Sequence, residues 1–183
     1  MDRYRHLHPW RGANLCDALA DLQWRLEKQI EECGPLPCFP VRRTLDEIAA
    51  REAEIGRPIP EEIKHLFSVV DGFTVTDASI YPWPLENIRW LDGEGEDRND
   101  CVLGYLRDID SPWSRADYFA FGQGDCGDWL TYCVNPPRGC DGQIVVLDHE
   151  DQGPDNNPDQ PGVIVIYADS LADWIVRLIA FDL

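Results

Sequence analysis

Positive charge is scarce in this sequence. Its 183 residues carry 16 lysines and arginines against 34 aspartates and glutamates, a formal net charge of −18, and the sequence pI is about 4.4. Binding to nucleic acid through a basic footprint is thereby excluded, because that affinity comes from cations displacing counterions from phosphates. An anionic membrane surface repels such a chain for the same reason. Long apolar runs are also missing. No stretch approaches the roughly 20 apolar residues that span a bilayer, and the opening Met1-Asp2-Arg3-Tyr4-Arg5-His6 has no apolar signal region, so the cytoplasm is the expected compartment. The seven cysteines include no Cys-x-x-Cys pair. Their odd number and the size of the chain speak for a reduced protein with mostly buried thiols rather than a disulfide framework.

What is present suffices for a core: 44% hydrophobic residues and 19 aromatics, which excludes general disorder. The length suits one domain with a small appendage. Residues 1–13 show no period and read as a loose arm. Leu15, Leu19, Leu22, Leu26, Ile30 and Cys33 then recur on one helical face, with Asn14 as N-cap and Gly34-Pro35 as the stop. A Pro-rich connector covers 34–41. Thr44-Leu45-Asp46-Glu47 reads as a capping box opening a second helix, with Leu45, Ile48, Ala49 and Ile55 inward and Gly56 at its end. Pro60 opens a third helix with the stripe Ile63, Leu66, Phe67 and Val70, closed by Asp71-Gly72.

From Phe73 the pattern changes to short β-branched and aromatic runs between Gly, Pro, Asn and Asp clusters. Strands are expected near 73–81, 87–91, 117–122, 128–134, 143–148 and 162–167. The segment 101–109 is ambiguous between strand and helix. Gly122-Gln123-Gly124 and Cys140-Asp141-Gly142 read as turns, with Asp125 bonding back to nearby backbone, and 149–161 as a long polar loop. A closing helix starts at Asp169 or Ser170 and buries Leu171, Trp174, Ile175, Leu178 and Ile179. The expected fold class is α+β: N-terminal helices, a mainly antiparallel central sheet of about five or six strands, and a C-terminal helix.

The order of these elements resembles the SUKH superfamily, which contains fungal Smi/Knr-type cell-wall regulators and bacterial toxin-immunity proteins. Ile59-Pro60-Glu61-Glu62-Ile63 and Asp71-Gly72 stand where that family opens and closes its second helix. Pro84-Leu85-Glu86-Asn87-Ile88 resembles its next strand and turn, and Phe119 to Trp129 (FAFGQGDCGDW) its central hairpin. Gln143 to Glu150 (QIVVLDHE) and Ala168 to Ile175 (ADSLADWI) are similar to a later strand and the closing helix. The likeness covers about 44–181, so the expected division is a SUKH-like domain at 44–183 behind an arm, extra helix and connector at 1–43. The helix at 14–33 and the acidic stretch 92–100 have no counterpart in the pattern. The resemblance implies a non-enzymatic binding module without cofactor: an immunity protein that neutralises a toxin domain by occlusion, or a regulatory scaffold binding an endogenous protein.

Several constellations of residues bear on chemistry. Asp92-Gly93-Glu94-Gly95-Glu96-Asp97-Arg98-Asn99-Asp100 holds five acids and one base. It reads either as a solvated loop or as a lure for a cationic partner such as a toxin nuclease, whose association it would steer. The second acidic run, from Asp148, has only a superficial calcium-loop spacing, since prolines interrupt it and Glu150 and Gln152 replace short ligands. His149 beside Asp148 and Glu150 reads as solvated rather than as a base, and His6 and His8 lack a third metal ligand. Cys126 lies beside Asp125 and Asp128, which oppose thiolate formation. The glycines at 122, 124 and 127 lack the lysine or third glycine of a phosphate loop. No catalytic or metal residue is assigned. Trp24, Trp129 and Trp174 are expected in the core. Trp83, Trp90 and Trp113 adjoin loops, either partly buried or serving as binding anchors. The candidate partner-binding residues are therefore Asp92, Glu94, Glu96, Asp97 and Asp100, with Trp90 or Trp113, and Asp148, Glu150 and Asp151.

Overall fold

A computed structural model describes residues 14–33, 42–72, 80–92, 98–124, 127–148, 158–159 and 161–181. Three helices come first: α1 (Leu15–Cys33), α2 (Leu45–Ile55) and α3 (Glu61–Val69). Asn14 Oδ1 accepts from the Cys16 and Asp17 amides, so α1 is capped as its sequence predicts. The capping box of α2 is complete. Glu47 N–H donates to Thr44 Oγ1 at 3.2 Å, and Thr44 N–H donates to the Glu47 carboxylate at 2.8 Å. Gly56 ends α2 at φ +73°, in the left-handed conformation. Ile63, Leu66, Phe67 and Val70 are all buried, as expected of α3.

The rest comprises β1 (Ile80–Pro82), β2 (Arg89–Trp90), α4 (Arg98–Asp108), β3 (Asp117–Gly124), β4 (Trp129–Val134), β5 (Gln143–Leu147), β6 (Ile164–Ala168) and α5 (Leu171–Phe181). The fold is α+β. The six strands form one antiparallel sheet in the order β1-β3-β4-β5-β6, with β2 also on β3. β1 and β2 lie along the same edge of β3, opposite Gly122–Gly124 and Phe119–Ala120 respectively. They form one edge strand interrupted by Pro82, Pro84 and a 3-10 turn at Leu85–Asn87. Prolines cannot donate to a ladder, so an edge is where they are tolerated. The interruption drops Leu85 and Ile88 into the core.

The central strands are buried on both faces. Phe119, Phe121, Leu130, Tyr132, Ile144 and Val146 join a core formed with α1, α2, α3 and α5. The alternate residues Tyr118, Ala120, Trp129, Cys133, Val145 and Leu147 join a second core under α4 and the 3-10 turn Pro112–Arg115. A strand covered on both faces loses the in-out alternation of a half-solvated sheet, as the uniformly buried β5 does. The ambiguous segment 101–109 is thus the helix that covers the second face. Helix α1 packs on α5 and contributes Leu19, Leu22 and Leu26 to the first core. No described helix is long and apolar enough to cross a membrane.

One carboxylate joins the early helices to the edge strand. Asp71, whose side chain is 6% exposed, accepts from the Arg43 guanidinium and from the Leu85 amide at 2.6 Å. Arg43 also reaches Glu47 and Glu86. Gly72 follows at φ +58°, and a Cβ there would lie 2.7 Å from Pro84 N. The Asp71-Gly72 pair, just beyond the Val70 cap of α3, therefore seats the 3-10 turn against that helix's end.

The structure departs from the sequence pattern at several positions. Leu45 is 75% exposed and Ala49 is exposed, because α2 inserts only Ile48 fully into the core. Trp24 is 54% exposed because it sits opposite the Leu22–Leu26 stripe of α1; Arg25 and Lys28 flank its ring. Trp113 is 3% exposed, anchored in the second core. Residues 98–100 belong to α4 rather than to a loop. Of the thiols at described positions Cys133 is buried, whereas Cys16 and Cys140 are exposed. Gly122 is a strand residue next to a bulge in β3, not a turn. Gly124 is the last residue of β3, and the turn begins beyond it, with Gly127 at φ +84°. The arm 1–13, the connector 34–41, residues 73–79, Asp125 with Cys126, and His149 with the rest of 149–157 lie outside the described residues.

The spacing of β1 and β3 explains Gly122: a Cβ there would lie 2.5 Å from the Tyr81 carbonyl oxygen. Gly122→Ala should cost about 1–3 kcal/mol as an overpacking substitution. Gly104, inside α4, has nothing within 4 Å of its Cβ position. Gly104→Ala should stabilise by about 0.5–1 kcal/mol through helix propensity. Urea unfolding should show opposite shifts of midpoint for the two variants at unchanged slope. Equal shifts would contradict this packing.

Candidate functional site

The site is a pocket of about 540 Å³ at the interrupted edge of the sheet. Three segments wall it. One is the C-terminal half of α2 with Arg57 just beyond, a second is β2 running into Leu91 and Asp92, and the third is α4 with residues 114–116 and Asp117, the first residue of β3. Leu91 N–H donates to the Tyr118 carbonyl at 2.9 Å, which continues the β2 pairing and holds this wall to the sheet.

Trp90 organises the pocket. Its indole N–H donates to the Pro58 carbonyl at 3.1 Å, tying β2 to the link between α2 and α3. Its ring packs edge-on to Phe119 at 5.1 Å between centroids, and the Arg57 guanidinium lies 4.0 Å from the Trp90 ring centroid. This is a cation–π contact. Arg57 also pairs with Asp117 at 3.3 Å. Arg51 pairs with Glu54 at 3.0 Å and donates to the Ile88 carbonyl at 2.8 Å, while its Nε is buried with no hydrogen-bond partner. Arg107 donates to the Asp92 carbonyl at 2.7 Å.

With Arg89 and Arg115 the described lining residues include five arginines, against three carboxylates, Glu54, Asp92 and Asp117. In a chain of net charge −18, the described residues of this concave surface thus carry more positive than negative side chains. Sequence reading missed this cluster. Its arginines are spread from 51 to 115 with no local motif, and only the meeting of α2, β2, α4 and the approach to β3 assembles them.

Of the candidate partner-binding residues, the structure brings together Trp90 and Asp92, both in the pocket wall. Asp100 lies in the first turn of α4. Trp113 is buried and presents no surface. Asp148 is half-buried and follows β5, its N–H donating to the Val163 carbonyl at 3.0 Å. Asp92 leaves the sheet beside Tyr118, whereas Leu147 pairs with Trp129 and Trp129 with Gln123. Asp92 and Asp148 therefore leave the sheet at opposite ends of β3, which at strand rise are separated by roughly 20 Å. Glu94, Glu96, Asp97, Glu150 and Asp151 lie outside the described residues.

A second titratable group sits on the other face. The half-buried Glu62 of α3 is hydrogen-bonded to the Tyr132 hydroxyl. Burial outweighs that bond and raises the Glu62 carboxyl above its ordinary range. Burial, with the neighbouring Glu62 charge, also raises the Tyr132 phenol. Burial pushes the Cys133 thiol up to about 12, so it stays protonated near neutral pH and is a poor nucleophile. Among the described residues no group of three His, Cys, Asp or Glu side chains is placed to hold a metal ion.

Compared with known protein families, residues 43–177 match the model of the SMI1 / KNR4 family (SUKH-1). The match covers well over half of the chain, and the chain belongs to this family. No curated protein matches it.

The raised Glu62 carboxyl has a pH consequence. The folded state holds this proton more tightly than the unfolded chain, so stability falls as pH rises from the ordinary carboxylate range through the folded value, and stays lower above it. Glu62→Gln should therefore stabilise near neutral pH, with the gain shrinking toward about pH 4. Urea midpoints of both proteins across that range test it. A gain independent of pH would show that burial of the charge is not its source.

Proposed function

We propose that this SUKH-1 family member is an immunity protein that binds a toxin domain and neutralises it by covering its active surface. Family membership is the observation that carries the reading, being consistent with a protein-binding, immunity-type domain. The charge of −18 supports a cationic partner such as a nuclease domain, whose phosphate-binding cleft attracts an acidic inhibitor and speeds encounter. The mechanism is occlusion, in which the bound protein excludes substrate from the cleft, and no bond is made or broken. The interface assigned in this reading is the acidic stretch from Asp92 to Asp97, with Trp90 beside it.

Affinity capture from cells, elution with a salt gradient and reconstitution of the purified pair test the assignment. One stoichiometric basic partner, released at high salt and losing its enzymatic activity when bound, is the expected result. A neutral endogenous partner, insensitive to salt and unaffected in activity, would replace inhibition with the regulatory-scaffold reading.

Neutralising Asp92, Glu94, Glu96 and Asp97 together as Asn or Gln should slow association and flatten its salt dependence, because steering acts mainly on the on-rate. An on-rate equal to that of the unaltered protein would move the interface elsewhere.

A further inference from the structure

We propose that the arginine-lined pocket beside Trp90 is a binding site for a small oxyanion of two or more negative charges, of the pyrophosphate class. The first argument is charge. Arg51, Arg57, Arg89, Arg107 and Arg115 are about a third of the chain's 16 cationic side chains, and among the described lining residues of one concavity they stand with three carboxylates. Crowding guanidiniums is unfavourable unless counter-charge balances them. Among the described lining residues the carboxylates, Glu54 on Arg51 and Asp117 on Arg57 included, are fewer than the guanidiniums.

The second argument is donor capacity. A guanidinium carries five N–H donors in a planar fork that fits carboxylate or phosphate oxygens two at a time. Arg115 is exposed and makes no ion pair or hydrogen bond among the described residues, and Arg107 uses one donor nitrogen on the Asp92 carbonyl. The apolar walls supplied by Ile55, Leu91 and Leu103 lower the local dielectric and strengthen any ion pair formed there.

The third argument is size and shape. About 540 Å³ lies within the roughly 300–1,000 Å³ of small-ligand sites. One face of Trp90 is taken by Arg57 and the ring also meets Phe119, so the site recognises charge and oxygen geometry rather than a stacked base.

The proposal does not rest on toxin binding and is tested on the isolated chain. Calorimetric titration of the full chain with metal-free pyrophosphate at low ionic strength should show saturable one-to-one binding, weakened by added salt. Arg107→Gln and Arg115→Gln should each weaken it about tenfold, the loss expected for a charge-assisted hydrogen bond. Arg138→Gln is an exposed control that does not line the pocket, and it should bind like the parent. Melting curves verify that all three variants fold. Absence of saturation up to about 10 mM overturns the site. Equal weakening by Arg138→Gln overturns it as well, because binding is then non-specific. If a hexaglutamate peptide binds in an Arg107- and Arg115-dependent way and pyrophosphate does not, the occupant is a protein carboxylate and the small-anion assignment fails.

Discussion

The Asp71 carboxylate meets a guanidinium and a backbone amide at a point where three segments converge. Arg43 lies before α2, Asp71 follows the Val70 cap of α3, and Leu85 opens the 3-10 turn in the interrupted edge strand. A nearly buried carboxylate is costly without such partners and stabilising with them, so its position constrains theirs. The next residue, Gly72, has no side chain to hold the Trp83–Pro84 backbone away. With the turn seated there, Ile88 enters the core and Arg89–Trp90 reach β3 at Ala120 and Phe119. The pocket beside Trp90 thus depends on a carboxylate that does not line it.

The sheet has helices over both faces but a different complement on each. Four helices and one core lie on one side; α4 and a 3-10 turn cover a smaller core on the other. Along the β2 edge, α2 from the first layer and α4 from the second come to either side of the same short strand. The gap between the layers is the pocket, which is why its lining is drawn from distant parts of the chain. Arg57 on the Trp90 ring and Asp117 on Arg57 brace it across that gap.

Global and local charge have opposite senses here. The whole chain repels anions at distances beyond the screening length only weakly in physiological salt. Inside a concave site with apolar walls, the nearest charges dominate, and among the described lining residues those are mainly arginines. An acidic protein with a positively lined pocket can therefore attract a basic macromolecule to its surface and a small anion to its concavity, because the two interactions act over different distances.

The local elements were legible because their signals are local. The capping box at Thr44, the α3 stripe, the buried face of α5 and the runs of β3, β4 and β5 follow from spacings of a few residues. The family motifs fall within the matched region 43–177 for the same reason. Other features were decided at long range. Whether 101–109 became strand or helix depended on an uncovered sheet face. Trp24 and Trp113 carry the same side chain with opposite exposure, because one helix face met the core and a turn was folded beneath α4. Gly122 reads as a turn residue beside Gln123-Gly124, yet it is needed for the approach of β1. By itself the sequence determined the helix caps, the apolar faces, the α+β class and the excess of negative charge, all of which depend on neighbouring residues or on composition. Only the tertiary structure decided where the few positive charges gather, because arginines from position 51 to 115 become neighbours through packing and share no spacing along the chain.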